Sequence, residues 1–299
     1  MPKRNRTAHP FKLRSSAALS LLGMVLCLFS PAPCPAQESA AVLSKGSGLY
    51  FETFLAFQKA LGRPISSFDL SKDKPNLPSG LKAAVTFGAT AAAYEYPPKA
   101  RVIYLLAPGY MPKNEGGRFT KISTLPEPAQ AIATYKELQP GLKRLAVLFN
   151  KNSAGNYASF LAEAARPHGV EILPVGLGGP LEFPDKLRGL AGKADAFWLL
   201  PEPALINKTS LMVLAEFSCS NKIPFYAPSG GLSELGAAAS FAPTFAEAAV
   251  TAAAALEKAL SGKPLPETIY VPRSELTMNA AFVTKCGLPV KLPAAGAAR

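Results

Sequence analysis

The sequence predicts an α/β fold built on parallel β-sheet. Four short apolar runs, Leu145–Phe149, Ile172–Val175, Ala196–Leu200 and Ile223–Ala227, begin 27, 24 and 27 residues apart, and an amphipathic stretch separates each pair. That is the beat of strand, crossover helix and next strand. Four looser runs precede them: Ala40–Leu43, Ile65–Leu70, Ala83–Phe87 and Arg101–Leu106. Between the two sets, Pro108–Gly117 is rich in Gly, Pro and charge and marks a boundary between two lobes. In parallel sheets ligands sit beyond the carboxyl ends of the strands, so function is sought at Asn150, Gly176, Glu202 and Ser229, just after the four regular runs.

The chain opens on residues that do not belong to the fold. Lys3, Arg4, Arg6, Lys12 and Arg14 precede the apolar run Ala17–Phe29, and a Pro-rich stretch ends at Ala36. This reads as a secretory signal peptide over residues 1–36, cleaved after Ala36. The apolar run is shorter than the roughly 20 residues of a membrane-spanning helix. Cys34 invites a lipoprotein reading, but Pro31, Ala32 and Pro33 lack the small-residue pattern that lipid attachment needs.

The next elements follow in order. After the first run comes a Gly-rich loop and a helix with Tyr50, Phe54, Phe57 and Leu61 on one face. Only 12 residues, with Pro75, Pro78 and Gly80 among them, separate the second run from the third, too few for a full crossover helix. A helix carrying Ile132, Tyr135 and Leu138 is stopped by Pro140 and Gly141. Tyr157, Phe160, Leu161 and Ala164 fall at helical spacing, and Asn207 caps a helix with Leu211, Leu214 and Phe217. A strand at Ala237–Ala242 leads to an Ala-rich helix from about Thr244 to Leu260, Ala being the best helix former.

Charge and cysteine content exclude some functions. The formal charge is +12, but removing the leader leaves 27 basic against 20 acidic residues, or +7. No basic run is interleaved with aromatics, so no nucleic-acid surface is expected. Cys219 and Cys286 remain in an oxidising compartment, either as one disulfide or as two buried thiols in different helices. Neither has metal-ligand spacing, and His168 is the single histidine after the leader, so no metal or other cofactor is expected.

Enzymatic motifs are incomplete. Ala227, Pro228, Ser229, Gly230 and Gly231 mimic the nucleophile elbow of serine hydrolases, with Ala in place of the first Gly. That family's order puts the histidine after the serine, whereas His168 precedes Ser229. The loop Ser44–Gly48 follows a strand and opens a helix, but Phe51 stands where a dinucleotide fingerprint needs its third glycine. The loop is either a plain tight turn or a set of N–H groups and hydroxyls for a carboxylate. The same duality holds for Thr86–Thr90. Glu202, held between Pro201 and Pro203, is either a fixed contact for a cationic ligand group or an ordinary turn acid. Tyr50, Phe149 and Tyr226 lie at strand ends or helix starts and can supply aromatic walls.

In this order the motifs resemble a known family. The signal peptide, Tyr50–Phe54, Thr86–Thr90, Leu138–Asn150 with its Pro-Gly-Leu-Lys-Arg entry to a strand ending in Phe149 and Asn150, Asp195–Pro203, and Asn221–Pro224 are similar to the substrate-binding proteins of ABC transporters in the tryptophan/tyrosine-type group. The resemblance covers most of residues 40–290. It implies a type I periplasmic binding fold: two Rossmann-like α/β lobes with parallel sheets, joined by a three-strand hinge, with ligand gripped between them. It implies lobe 1 over 38–120 plus 244–267 and lobe 2 over 121–243 plus 268–292, with crossings near 118–123, 242–245 and 266–270. Carried over residue by residue, Ser44 and Ser47 match the loop after the first strand, with Tyr50 beside it. Gly88, Ala89 and Thr90 match a helix-start contact, Asn150 a polar strand end, Glu202 an acidic strand end, and Tyr226 and Ser229 the last strand-end loop of lobe 2. Thr244 stands where the family often has Asp, and the crossover after the second strand is truncated.

The function implied is a periplasmic, non-enzymatic solute receptor. It captures a small molecule, an amphipathic and aromatic amino acid being the best match, and hands it to an ABC permease in the inner membrane. The alternative is a sensory or interaction module with the same fold that signals to a membrane receptor; a neighbouring sensor-kinase gene, in place of permease and ATPase genes, would distinguish it.

Overall fold

A computed structural model describes residues 38–113, 115–151 and 157–292. The expected leader, residues 1–36, lies outside the described residues. The first half runs β1 (Ser39–Leu43), α1 (Gly48–Leu61), β2 (Ser66–Asp69), β3 (Ala83–Phe87), a single turn α2 (Ala89–Ala92), β4 (Arg101–Leu105) and β5 (Phe119–Ser123). The second half runs α3 (Pro128–Leu138), β6 (Arg144–Asn150), α4 (Tyr157–Ala165), β7 (Glu171–Leu177), α5 (Phe183–Arg188), β8 (Ala196–Leu199), α6 (Lys208–Asn221), β9 (Phe225–Ala227), α7 (Gly230–Ser233) and β10 (Ala239–Ala242). The chain then returns through α8 (Phe245–Leu260), β11 (Thr268–Tyr270), β12 (Glu275–Met278) and α9 (Ala280–Cys286).

These strands form two six-stranded sheets, ordered β2-β1-β3-β4-β5-β11 and β7-β6-β8-β9-β10-β12. Every pairing is parallel except β10 with β12. Helices cover the faces, so central strands read as unbroken apolar runs: all five residues of β1 and of β3 are buried. The fold is therefore α/β with two mostly parallel lobes, as the strand spacing and the resemblance implied.

Each element has a local cause. α1 buries Thr53, Phe54 and Phe57 and ends at Gly62, whose φ of 69° is the left-handed cap that glycine adopts freely. Phe54 and Phe57 meet Phe87 edge to face at 5.9 and 5.6 Å, each such pair adding about 0.5–1.5 kcal/mol beyond area burial. Pro128 opens α3 behind Glu127, whose carboxylate accepts from Gln130 N–H. Asn207 and Ser210 form a capping box at the start of α6. Thr244, which replaces the Asp of the related pattern, caps α8 by accepting from Glu247 N–H. The buried face of α8 is nearly all alanine, which lets its backbone approach α1 and the first sheet closely. No helix forms between β2 and β3, consistent with the short Pro-rich connection.

Three segments pass between the sheets: residues 124–127, 243–244 and 271–274. The first and last lie later than the resemblance implied. Residues 121–123 and 268–270 belong to lobe 1, because β5 and β11 pair with each other, Lys121 opposite Thr268 and Ser123 opposite Tyr270. Among the described residues no helix is long and apolar enough to cross a membrane.

Candidate functional site

The carboxyl ends of the two sheets face one cleft, which has an inner and an outer chamber. The inner chamber, about 80 Å³, is walled from lobe 1 by the end of β4 (Tyr104), the loop Leu106–Met111 and β5 (Lys121), and from lobe 2 by Phe149, Tyr157 and Glu202. The outer chamber, about 490 Å³, is bounded by the start of α1 (Ser47, Tyr50), by Pro201, Pro203 and Ile206, and by Ser229, Leu232 and Phe245. Leu106, Pro108, Thr124 and Pro201 line both, so the two adjoin. Leu106 has a φ of 55°, a strained conformation for a branched side chain, and it sits where the chambers join.

The inner chamber carries opposite charges from opposite lobes. Glu202 is buried, 9% exposed, in a tight turn where its N–H donates to Leu200 O and its carbonyl accepts from Leu205 N–H. It is thus a buried acid rather than an exposed turn residue. Lys121 projects from the middle of β5, whose backbone is paired on both sides, with Tyr104 opposite on β4 and Thr268 opposite on β11. Burial pushes the Lys121 ammonium below its usual range, and the negative charge of Glu202 partly restores it. The wall beside it is aromatic: Tyr104 and Tyr110 meet edge to face at 5.2 Å. Burial, then Tyr110 and Glu267, push the Tyr104 phenol up to about 12. Tyr157 is anchored by its hydroxyl, which donates to Pro126 O in the first crossing at 2.9 Å.

The sequence-derived candidates divide among several places. Ser47, Tyr50 and Ser229 line the outer chamber, and Glu202 lines the inner one. Ser47 and Ser229 are N-cap residues whose side chains make no capping hydrogen bond. Ser44 faces inward, its Oγ accepting from Ala91 N–H at 2.9 Å, and so serves as a remote cap of α2. Gly88 has a φ of 100° and packs under Ser44 and Tyr50; Gly88, Ala89 and Thr90 line neither chamber, nor does Asn150 at the half-buried end of β6.

Tyr226 lies elsewhere altogether. It is fully buried, stacked on Tyr135 at 4.2 Å, and its hydroxyl donates to Gln139 Oε1 at 3.0 Å. Alternation along β9 turns Tyr226 to the α3 face of the sheet, while Phe225 and Ala227 face α5 and α6. His168 is exposed at the end of a helical turn beyond α4.

Lys121, Tyr104, Tyr110 and Tyr157 were not legible as site residues. The one available signal was a lysine in an otherwise half-buried strand, Phe-Thr-Lys-Ile-Ser.

Comparison with known proteins bears on the fold and the family. No curated protein sequence matches the chain significantly. Among solved structures, a conserved domain protein from Vibrio cholerae is 16% identical, with a TM-score of 0.60, over 87% of this chain and 97% of that one. An ABC domain in complex with L-Trp from Streptococcus pneumoniae is 15% identical, with a TM-score of 0.58, over 86% and 96%. A ligand-free, open substrate binding protein with adhesive properties from Clostridium difficile is 16% identical, with a TM-score of 0.61, over 87% and 97%. At these identities the likeness is one of fold. Family membership rests on sequence: the family described as ABC transporter substrate binding protein matches residues 112–288, which include β5, most of the second lobe and the return crossings, and the chain belongs to that family.

Proposed function

We propose that the protein is the exported, non-catalytic solute receptor of an ABC importer, and that it captures an amino acid with an apolar side chain in the interlobe cleft for delivery to an inner-membrane permease. The observation that carries the ligand class is Glu202, a buried carboxylate at a strand end that faces the other lobe across the inner chamber. A buried acid suits a ligand ammonium, since a charge-assisted hydrogen bond is strong where water is excluded. The outer chamber, with Tyr50, Ile206, Leu232 and Phe245 around it, suits an apolar side chain. The L-Trp bound to the pneumococcal structure is in keeping with this reading. Cleavage after Ala36 and release into the periplasm complete it, and intact-mass analysis of the secreted protein tests the cut.

A thermal-shift screen against amino acids identifies the ligand, because one present at about 100 times its Kd stabilises by roughly 2.7 kcal/mol. Calorimetry on Glu202→Gln then tests the role. The variant should bind an amine-bearing ligand about ten- to a hundredfold more weakly, the equivalent of a lost hydrogen bond to a charged group. Unchanged affinity would remove the support for an amino acid.

A further inference from the structure

We propose that Lys121 is the carboxylate anchor of the cleft, so that the inner chamber takes the zwitterionic head of an amino acid between Lys121 of lobe 1 and Glu202 of lobe 2. This rests on the reading of Glu202 given above and adds the second charge. Lys121 lines the inner chamber from the opposite side to Glu202, on a strand held by neighbours on both edges. Among the described residues, no hydrogen bond or ion pair engages its ammonium within bonding distance. Among the described residues the field of Glu202 reaches it, and partial burial lowers its affinity for the proton.

Lys121 is half-buried, and an ammonium that has lost part of its water and has no bonded partner gains from a carboxylate brought beside it. A ligand carboxylate supplies what is missing. The helix-start N–H groups expected to do this are poorly placed: the Ala91 N–H is occupied by Ser44 Oγ, and Gly88, Ala89 and Thr90 line neither chamber.

Size points the same way. The inner chamber, about 80 Å³, is much the smaller of the two and holds Lys121 and Glu202, whereas the outer one, about 490 Å³, has a mostly apolar lining suited to a side chain. The side chain then lies toward the apolar outer chamber, which adjoins the inner one at Leu106 and Pro201.

The test is calorimetry with the twenty amino acids and, for each that binds, its amide, its decarboxylated amine and its deaminated acid, on the wild type, Lys121→Met and Lys121→Arg. Lys121→Met should weaken the amino acid and the deaminated acid about ten- to a hundredfold while leaving the amide and the amine within about twofold. Lys121→Arg, which keeps the charge and guards against a folding defect, should recover part of the loss. Equal losses for acid and amide, or no loss for either, would overturn the anchor. A wild type that binds the amine as well as the amino acid would overturn Lys121 while sparing Glu202. One that binds the deaminated acid as well as the amino acid would support Lys121 and overturn the reading of Glu202. Binding of none of the amino acids would overturn both.

Discussion

Gly88 has a backbone role that is independent of any ligand contact. Its φ of 100° and ψ of 161° lie in a region that only glycine occupies cheaply. A Cβ there would stand 2.5 Å from Ser44 Oγ and 3.0 Å from Tyr50 Cε1. Gly88→Ala should therefore destabilise by about 1–3 kcal/mol through backbone strain, with the displaced Ser44 cap adding to it. Urea denaturation checks the loss; a change of a few tenths of a kcal/mol would mean that the loop simply rearranges. In the sequence, Gly88 and Ser44 read as ligand contacts because both follow strands, and the same pattern serves a turn whose hydrogen bonds are internal. Glu202 differs in that it lines the inner chamber and is buried, where its sequence context left open a fixed contact or an exposed turn acid.

Two helices at the far side of lobe 2 illustrate what elements add. Cys219 in α6 and Cys286 at the end of α9 are joined as a disulfide, resolving the two alternatives that the sequence left open. Lys222, the left-handed cap of α6, donates from Nζ to Cys286 O, placing a cation at the negative end of α9. The bridge spans 67 residues, and a loop of that length limits the unfolded chain by roughly 4 kcal/mol in the chain-entropy model, with measured effects typically 2–4 kcal/mol. Cys219→Ala with Cys286→Ala, or reduction of the wild type, should lower unfolding free energy by about that much. Ligand affinity should change little, because neither cysteine lines the cleft. Equal stability of oxidised and reduced protein in guanidinium titrations would show that the bridge is absent in solution.

The cleft is a property of the whole molecule. Lys121 and Glu202 belong to different lobes, so a ligand touching both is fully enclosed only when the lobes approach. Small-angle scattering should show a smaller radius of gyration at saturating ligand than without it, and an unchanged profile would count against closure. The three crossings at 124–127, 243–244 and 271–274 are the segments that would flex. The hydroxyl of Tyr157 on Pro126 O couples the first of them to the chamber wall.

The sequence by itself determined the architecture. Runs such as Leu145–Phe149 and Ala196–Leu200, spaced by one crossover each, permit little but a parallel sheet, because apolar periodicity and crossover length are local properties of the chain. It also singled out Glu202 as either a fixed contact or an ordinary turn acid, since prolines restrict the backbone wherever they stand. Only the tertiary structure decided which side of β9 Tyr226 faces, that β12 runs antiparallel to β10, and that Lys121 stands across a cavity from Glu202. Those facts depend on residues far apart in sequence coming together, from 33 positions for Ala242 with Glu275 to 87 for Tyr226 with Gln139. Such meetings are set by how the sheets stack and where the chain crosses between them, and no short window of sequence carries that information.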